Sequence, residues 1–270
     1  MAAFQKALQD GEGLLRYTAI RYMDTASRET LLSLVAPKLY DELKAVRIEA
    51  AVRLAAIPES SLRQDDREAF KKALAEYRQA MLYNADFAAQ RYNLGNLAIS
   101  QGDSEAAIAL FEAALRIDDL FYPARVNLAM EFNRRGDNDR AEKLLREAVS
   151  QNPRLYEIAY SLGLLLAEMK DFSGAVRYLG QAADGMPGYS RARYNQALAL
   201  LKMKKWQEGA AALEKAVMAE PANEEYFVTL ANLYLSSGQV EKARRLAEQV
   251  LDLVPDHSSA VQLQNSLPGK

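Results

Sequence analysis

A self-similarity of period 34 restricts this chain more than any other feature. The pairs Leu94-Gly95, Leu128-Ala129, Leu162-Gly163, Gln196-Ala197 and Leu230-Ala231 follow one another at that interval. Two columns of small residues keep step: Ala107, Ala141, Ala175, Gly209 and Ala243, then Ala114, Ala148, Ala182 and Ala216, with Val250 ending the second. Turn prolines close the later units at Pro153, Pro187, Pro221 and Pro255, and Asp119 stands there in the first. A period of this length means that each unit is one supersecondary element, unable to bury its apolar face alone. Apolar residues recur at helical spacing over two stretches per unit, and small residues sit where one helix must approach another closely. Each unit therefore reads as an antiparallel helix hairpin. Gly102, Gly136 and Gly238 stand where the first helix must end in left-handed backbone, and Asp103, Asp137 and Asp171 can cap the second. Lys170 and Lys204 occupy the glycine column in units three and four. Left-handed backbone costs a lysine roughly 1 kcal/mol, so these two turns are expected to extend the first helix slightly.

The string Tyr92-Asn93-Leu94-Gly95-Asn96, with Gly102-Asp103, Ala107, Phe111 and Ala114, resembles the tetratricopeptide repeat, and the resemblance covers five units over residues 88–257. It implies an all-α fold: a right-handed α-solenoid of antiparallel helix hairpins whose first helices line a concave groove. By the same resemblance, the second, fifth, sixth, ninth, twelfth and thirteenth positions of each unit point into that groove. The fifth reads Tyr92, Val126, Tyr160, Tyr194, Val228, and the sixth reads Asn93, Asn127, Ser161, Asn195, Thr229. The ninth reads Asn96, Met130, Leu164, Leu198, Asn232, and the thirteenth Ser100, Arg134, Glu168, Lys202, Ser236. Amides on an inner surface can hold an extended main chain through a paired donor and acceptor. The same residues can equally persist for packing alone, and both readings stay open. The candidate peptide contacts are Tyr92, Asn93, Asn96, Asn127, Arg134, Tyr160, Tyr194, Asn195, Lys202 and Asn232. Mixed signs in the thirteenth column do not match the all-basic clamp with which some family members hold a terminal carboxylate. Trp206, aligned with Phe172, reads as a structural knob between hairpins.

The N-terminal part follows another period. Asp10, Leu15, Arg16, Ala19 and Met23 superimpose on Asp41, Val46, Arg47, Ala50 and Leu54 at an offset of 31. An Asp followed by an apolar-Arg pair and small residues resembles the short HEAT repeat. Asp41 is then expected to cap a helix, Val46 and Ala50 to face the neighbouring pair, and Arg47 to reach the Asp of an adjacent unit. The expected organisation is HEAT-like repeats over 1–58, a linker and half repeat over 59–87, the five units over 88–257, and a cap helix with its tail over 258–270. In the half repeat a helix resumes at Arg67, with Ala73, Tyr77 and Ala80 one period ahead of Ala107, Phe111 and Ala114. The cap helix carries Ala260, Val261 and Leu263 on one face. One continuous core is expected through both families. This order of segments, with Tyr77-Arg78-Gln79-Ala80-Met81-Leu82-Tyr83-Asn84-Ala85-Asp86 between them, resembles the C-terminal region of a group of bacterial multihaem c-type cytochromes. That resemblance implies a periplasmic docking module whose haems lie upstream.

Composition narrows the chemistry. Lys plus Arg number 34 against 36 Asp plus Glu, a net charge of −2 that offers no basic field for nucleic acid. There is no Cys, hence no thiolate metal site or covalent haem attachment within these residues, and no cofactor is expected. No apolar run is long enough for a membrane span, and Met1-Ala2-Ala3-Phe4-Gln5-Lys6 lacks the pattern of a signal peptide. His257 is the only imidazole and reads as a turn or N-cap residue, while Asp65-Asp66, Asp118-Asp119 and Glu224-Glu225 fall at helix ends, where they suit the dipole. Phosphate-loop and nucleophile-elbow patterns are missing. The expected function is non-catalytic binding of a protein or peptide, with no nucleic acid and no membrane insertion; the sequence leaves oligomeric state open. Two rivals are a docking arm of a periplasmic multihaem cytochrome and a regulatory part of an enzyme encoded upstream.

Overall fold

A computed structural model of the chain describes residues 2–23, 27–83 and 86–267. Asn84 and Ala85 of the linking string, and 268–270 of the tail, lie outside them. Among the described residues all regular structure is helical, as stacked helix pairs, and the chain divides into two compact units, Met1–Glu131 and Phe132–Lys270.

The first unit contains α1 (Ala2–Leu8), α2 (Gly13–Arg21), α3 (Arg28–Leu34), a 3-10 turn (Ala36–Tyr40) and α4 (Lys44–Leu54). A second 3-10 turn (Glu59–Ser61), α5 (Gln64–Tyr83), α6 (Ala88–Ser100), α7 (Ser104–Ile117) and α8 (Tyr122–Arg134) follow, with the unit boundary inside α8. Val46 and Ala50 are buried with Ile20, Leu54 and Phe70, as their spacing requires. The polar linker is anchored at both ends, because Ile57 and Leu62 join the same core. Helix α5 begins at Gln64 rather than Arg67, which places Asp65 and Asp66 in its first turn, where carboxylates favour the exposed N–H groups.

Asp41 does not cap α4. The N-cap is Leu43, without a side-chain bond, and Asp41 instead accepts from the Leu43 N–H (3.0 Å) and from Nε and Nη2 of Arg16 (2.7 and 2.9 Å). Arg47 pairs with no Asp carboxylate of an adjacent unit: Nη2 donates to both carboxylate oxygens of Glu76 on α5 (3.0 and 3.1 Å). The two arginines do share a local device, since each Nη1 donates to backbone carbonyls at the preceding turn, Asp10 and Gly11 for Arg16, Asp41 and Glu42 for Arg47. What differs is the helix that comes next.

The second unit continues with α9 (Asn138–Gln151), α10 (Tyr156–Glu168), α11 (Phe172–Gly185), α12 (Ser190–Lys202) and α13 (Trp206–Ala219), then α14 (Glu224–Ser236), α15 (Val240–Leu253) and α16 (Ser258–Ser266). Close approach explains the glycines of the eighth column. A Cβ on Gly95 would stand 2.5 Å from the Phe111 ring in the first unit, and one on Gly163 would stand 2.7 Å from Leu179 in the second. Asp103, Asp137 and Asp171 accept from the N–H of Ala106, Arg140 and Gly174, and so cap α7, α9 and α11.

Gly102, Gly136 and Gly238 are left-handed as expected, but so are Lys170 (φ 65°) and Lys204 (φ 61°); neither lysine extends its helix. At Lys204 the hydrogen bonding of the glycine turns is kept. Lys205 N–H donates to the Leu200 carbonyl at 3.0 Å just as Asp103 N–H donates to Ala98 at 2.9 Å, the six-to-one bond of a Schellman turn. One more helical residue would break that bond and move the start of the second helix out of register.

Trp206 lies beside the following hairpin but is only partly covered. It is 55% exposed on the first turn of α13, ahead of the point where Gly209 meets Leu201 of α12, and it lines a 610 Å³ cavity with Leu233, Tyr234 and Lys242. At the C-terminus, Ala260 and Leu263 pack on Leu246 and Val250, whereas Val261 faces outward and Leu267 packs in its stead. His257 caps α16, its Nδ1 accepting from the Ala260 N–H at 3.2 Å, with its ring 4.8 Å from that of Phe227.

Candidate functional site

The fifth and sixth columns are joined across neighbouring repeats. In the first unit Tyr92 on α6 packs its ring against Phe111 and Phe121 (5.8 and 5.5 Å between centroids). Asn127 Nδ2 on α8 donates to Asn96 Oδ1 at 2.8 Å and to the Tyr92 hydroxyl at 3.5 Å. In the second unit Asn195 Nδ2 on α12 donates to the Tyr160 hydroxyl of α10 at 2.9 Å, and the hydroxyls of Tyr194 and Thr229 lie 3.1 Å apart. All but the Asn127–Asn96 bond run from the fifth position of one repeat to the sixth of the next. Burial, with the neighbouring Tyr189 hydroxyl next in importance, pushes the Tyr160 hydroxyl up to about 12, so it stays neutral and can keep accepting from Asn195.

These links sort the sequence candidates by availability. Asn127 and Asn195 spend their amide nitrogens on neighbours, and Asn96 its amide oxygen. Among the described residues the Asn93 side chain makes only a 3.8 Å contact from Nδ2 to Met81 Sδ, and Asn232 on α14 is exposed. Tyr92 and Tyr160 are half-buried and retain an edge toward solvent. Tyr194 is not a surface contact: it is 5% exposed, its ring stacked on Tyr226 at 4.5 Å, because α14 brings an aromatic residue beneath it. Ser161 and Thr229 donate to the carbonyls of Glu157 and Glu225 one turn back (3.0 and 2.8 Å), the usual fate of a helical hydroxyl. Arg134 and Lys202 stand exposed in the last turns of α8 and α12, while Met130 and Leu164 expose apolar surface in the ninth column.

Arg191, at the second position and not among the named candidates, packs on two rings of the second unit. Its Nη1 donates to Glu225 at 2.7 Å, and its guanidinium lies 5.5 and 5.1 Å from the ring centroids of Tyr194 and Tyr226. The signal was present in the second column, where Arg191 and Glu225 stand one period apart. Among the described residues no group of acidic or imidazole side chains could hold a metal ion, and no helix is long and apolar enough to cross a membrane.

Comparison with known proteins agrees with this geometry. Residues 98–165 and 200–267 match a tetratricopeptide repeat family, and 62–120 match a second family of that description, which takes in α5 as a repeat helix. Residues 134–216 also match the family described as anaphase-promoting complex, cyclosome, subunit 3. None of the three is a HEAT or cytochrome family. No curated protein sequence matches significantly. Among solved structures, YrrB, described as a tetratricopeptide repeat protein with an unusual peptide-binding site, is 21% identical, with a TM-score of 0.55 over 70% of this chain and 97% of its own. MamA from Desulfovibrio magneticus RS-1 is 20% identical, with a TM-score of 0.54 over 63% of this chain and 97% of its own. At such identities the likeness is one of fold.

Proposed function

The chain belongs to the tetratricopeptide repeat family, and from that premise we propose that it is a non-catalytic scaffold that binds a peptide or protein partner in the groove of its first helices. One observation carries the reading: among the described residues the Asn93 amide, in the sixth column of the first unit, has no oxygen or nitrogen partner. An amide in that position can meet a partner's backbone N–H and C=O together. Exposed Met130 and Leu164 in the ninth column offer apolar contact, and the thirteenth column supplies charges of both signs. A partner segment of mixed charge suits this surface better than a purely acidic one. The peptide-binding site described for YrrB supports the assignment by likeness of fold.

Asn93 and Asn127 separate binding from packing. A lost neutral hydrogen bond costs about 0.5–1.5 kcal/mol, so Asn93→Ala with Asn127→Ala should weaken a bound peptide roughly tenfold. Asn93→Ala alone should weaken it without lowering the melting temperature, whereas Asn127→Ala should lower both. Fluorescence anisotropy with a panel of labelled ten-residue peptides measures this. Full affinity in the double variant with an intact helical spectrum would make the amides packing residues and place the binding surface elsewhere.

The narrower reading, a docking arm of a periplasmic multihaem cytochrome, rests on the 31-residue spacing and the order of segments alone. Cys-x-x-Cys-His strings encoded upstream of Met1 would favour it, and a catalytic motif there would favour a regulatory role.

A further inference from the structure

The first unit builds a cavity where the N-terminal helices meet the first repeat helices. It measures 520 Å³ and opens among α2, α4, α5 and α6. Ile48 and Val52 of α4 and Met81 of α5 make its apolar surface, and Asn93 and Asn96 reach it from α6. Glu49 lies on the same α4 face as Ile48 and Val52, half-buried, and takes part in no ion pair among the described residues.

We propose that this cavity is a subsite for a lysine or arginine side chain of the partner, whose cation pairs with Glu49 while its main chain lies against Asn93 and Asn96. The aliphatic stem of either residue would cover Ile48, Val52 and Met81 and carry the charge inward to the carboxylate. A half-buried carboxylate gains more from a cation than a solvated one does, because water no longer supplies the full stabilisation of its charge. The Glu49 carboxyl fits that description: burial pushes it above the ordinary carboxylate value, against Arg21, the Tyr17 hydroxyl and Arg53, which pull the other way. Arg21 is the one charge in the cavity that would prefer an acidic side chain. Its guanidinium is exposed and turned onto Tyr17, donating to the hydroxyl, and a charge already in water gains little by pairing.

The inference rests on the groove reading, since Asn93 and Asn96 belong to both. The test uses the full chain with methyl-labelled Ile and Met and three blocked tripeptides: acetyl-Ala-Arg-Ala-amide and its norleucine and glutamate counterparts. The arginine peptide should shift the Ile48 and Met81 methyl signals at concentrations where the other two do not. Glu49→Gln, which keeps the shape of the side chain, should weaken the arginine peptide about tenfold, and Arg21→Gln should tighten it. Equal binding of arginine and norleucine peptides, an unaffected Glu49→Gln variant, or preference for the glutamate peptide would each overturn the subsite. Those outcomes leave the groove standing if the same peptides still respond to Asn93→Ala; silence from all three peptides would count against the groove as well.

Discussion

Lys170 and Lys204 hold φ at 65° and 61°, where a Cβ crowds the following carbonyl, and each does so at an exposed turn. Replacing both with glycine removes that crowding but also frees the unfolded chain, so each change should stabilise by about 0.5–1 kcal/mol net. Urea unfolding of the double variant checks this, and no gain in midpoint would mean the lysine side chains return the cost by contacts of their own. Propensity pointed to a longer helix at these sites, and the register of the next helix overrode it. Asp41 gives a second residue-scale case. The Arg16 guanidinium, by its hydrogen bonds, holds this carboxyl below its ordinary value. A carboxyl lowered on folding contributes stability above its unfolded value and loses it as pH falls through the folded one. The melting temperature should therefore exceed that of Asp41→Asn at neutral pH, and the difference should shrink as pH falls below about 4. A pH-independent difference would show that the bond acts through shape alone. The offset of 31 revealed that these arginines are equivalent; it could not reveal that the second meets Glu76, because two copies do not specify the helix that follows them.

At the scale of the element, three hairpins are tied to the next by a fifth-to-sixth link: Tyr92 to Asn127 in the first unit, and Tyr160 to Asn195 and Tyr194 to Thr229 in the second. The columns were legible because the period fixes which residues share a face. Their use was not, because an amide that grips a neighbouring tyrosine and one that grips a peptide look alike in sequence. Distance decides between them: Asn195 is 2.9 Å from a tyrosine oxygen, while Asn93 has only a distant sulfur. Tyr160→Phe should leave the Asn195 amide nitrogen short of a partner and cost about 1 kcal/mol. A matched Asn195→Ala should cost about the same, and the double variant little more, since both remove one bond. Differential scanning calorimetry of the three proteins measures the coupling. Fully additive losses would mean the link contributes nothing of its own. The Arg191–Glu225 pair, one period apart, is the element-scale feature that a charge search along the period would have found.

Each hairpin of a stack buries its apolar face only against a neighbour, and α16 is the neighbour of the fifth hairpin. Weak helical patterning after Pro255 was enough to place a cap there, although it misassigned one position: Val261 is exposed. What α16 does cover is Leu246 and Val250, with Ala260 and Leu263. Its start is fixed from two sides. His257 accepts the Ala260 N–H, and Glu224 of α14 accepts from the N–H of Ser258 and Ser259 (3.0 and 3.3 Å) and from the Ser258 hydroxyl (2.8 Å). Three variants of graded severity resolve these contributions. His257→Ala removes the cap acceptor and should cost about 1 kcal/mol. Leu263→Ala leaves a space against Leu246 and should cost about 2 kcal/mol or more. A chain ending after Val254 should lose both contributions together and expose the face, with a lower melting temperature, increased binding of a hydrophobic dye and concentration-dependent association. Thermal melts followed by light scattering distinguish the outcomes: a truncated chain that melts and elutes like the parent would show that the last hairpin closes its own end, and α16 would then need another reason to be docked there.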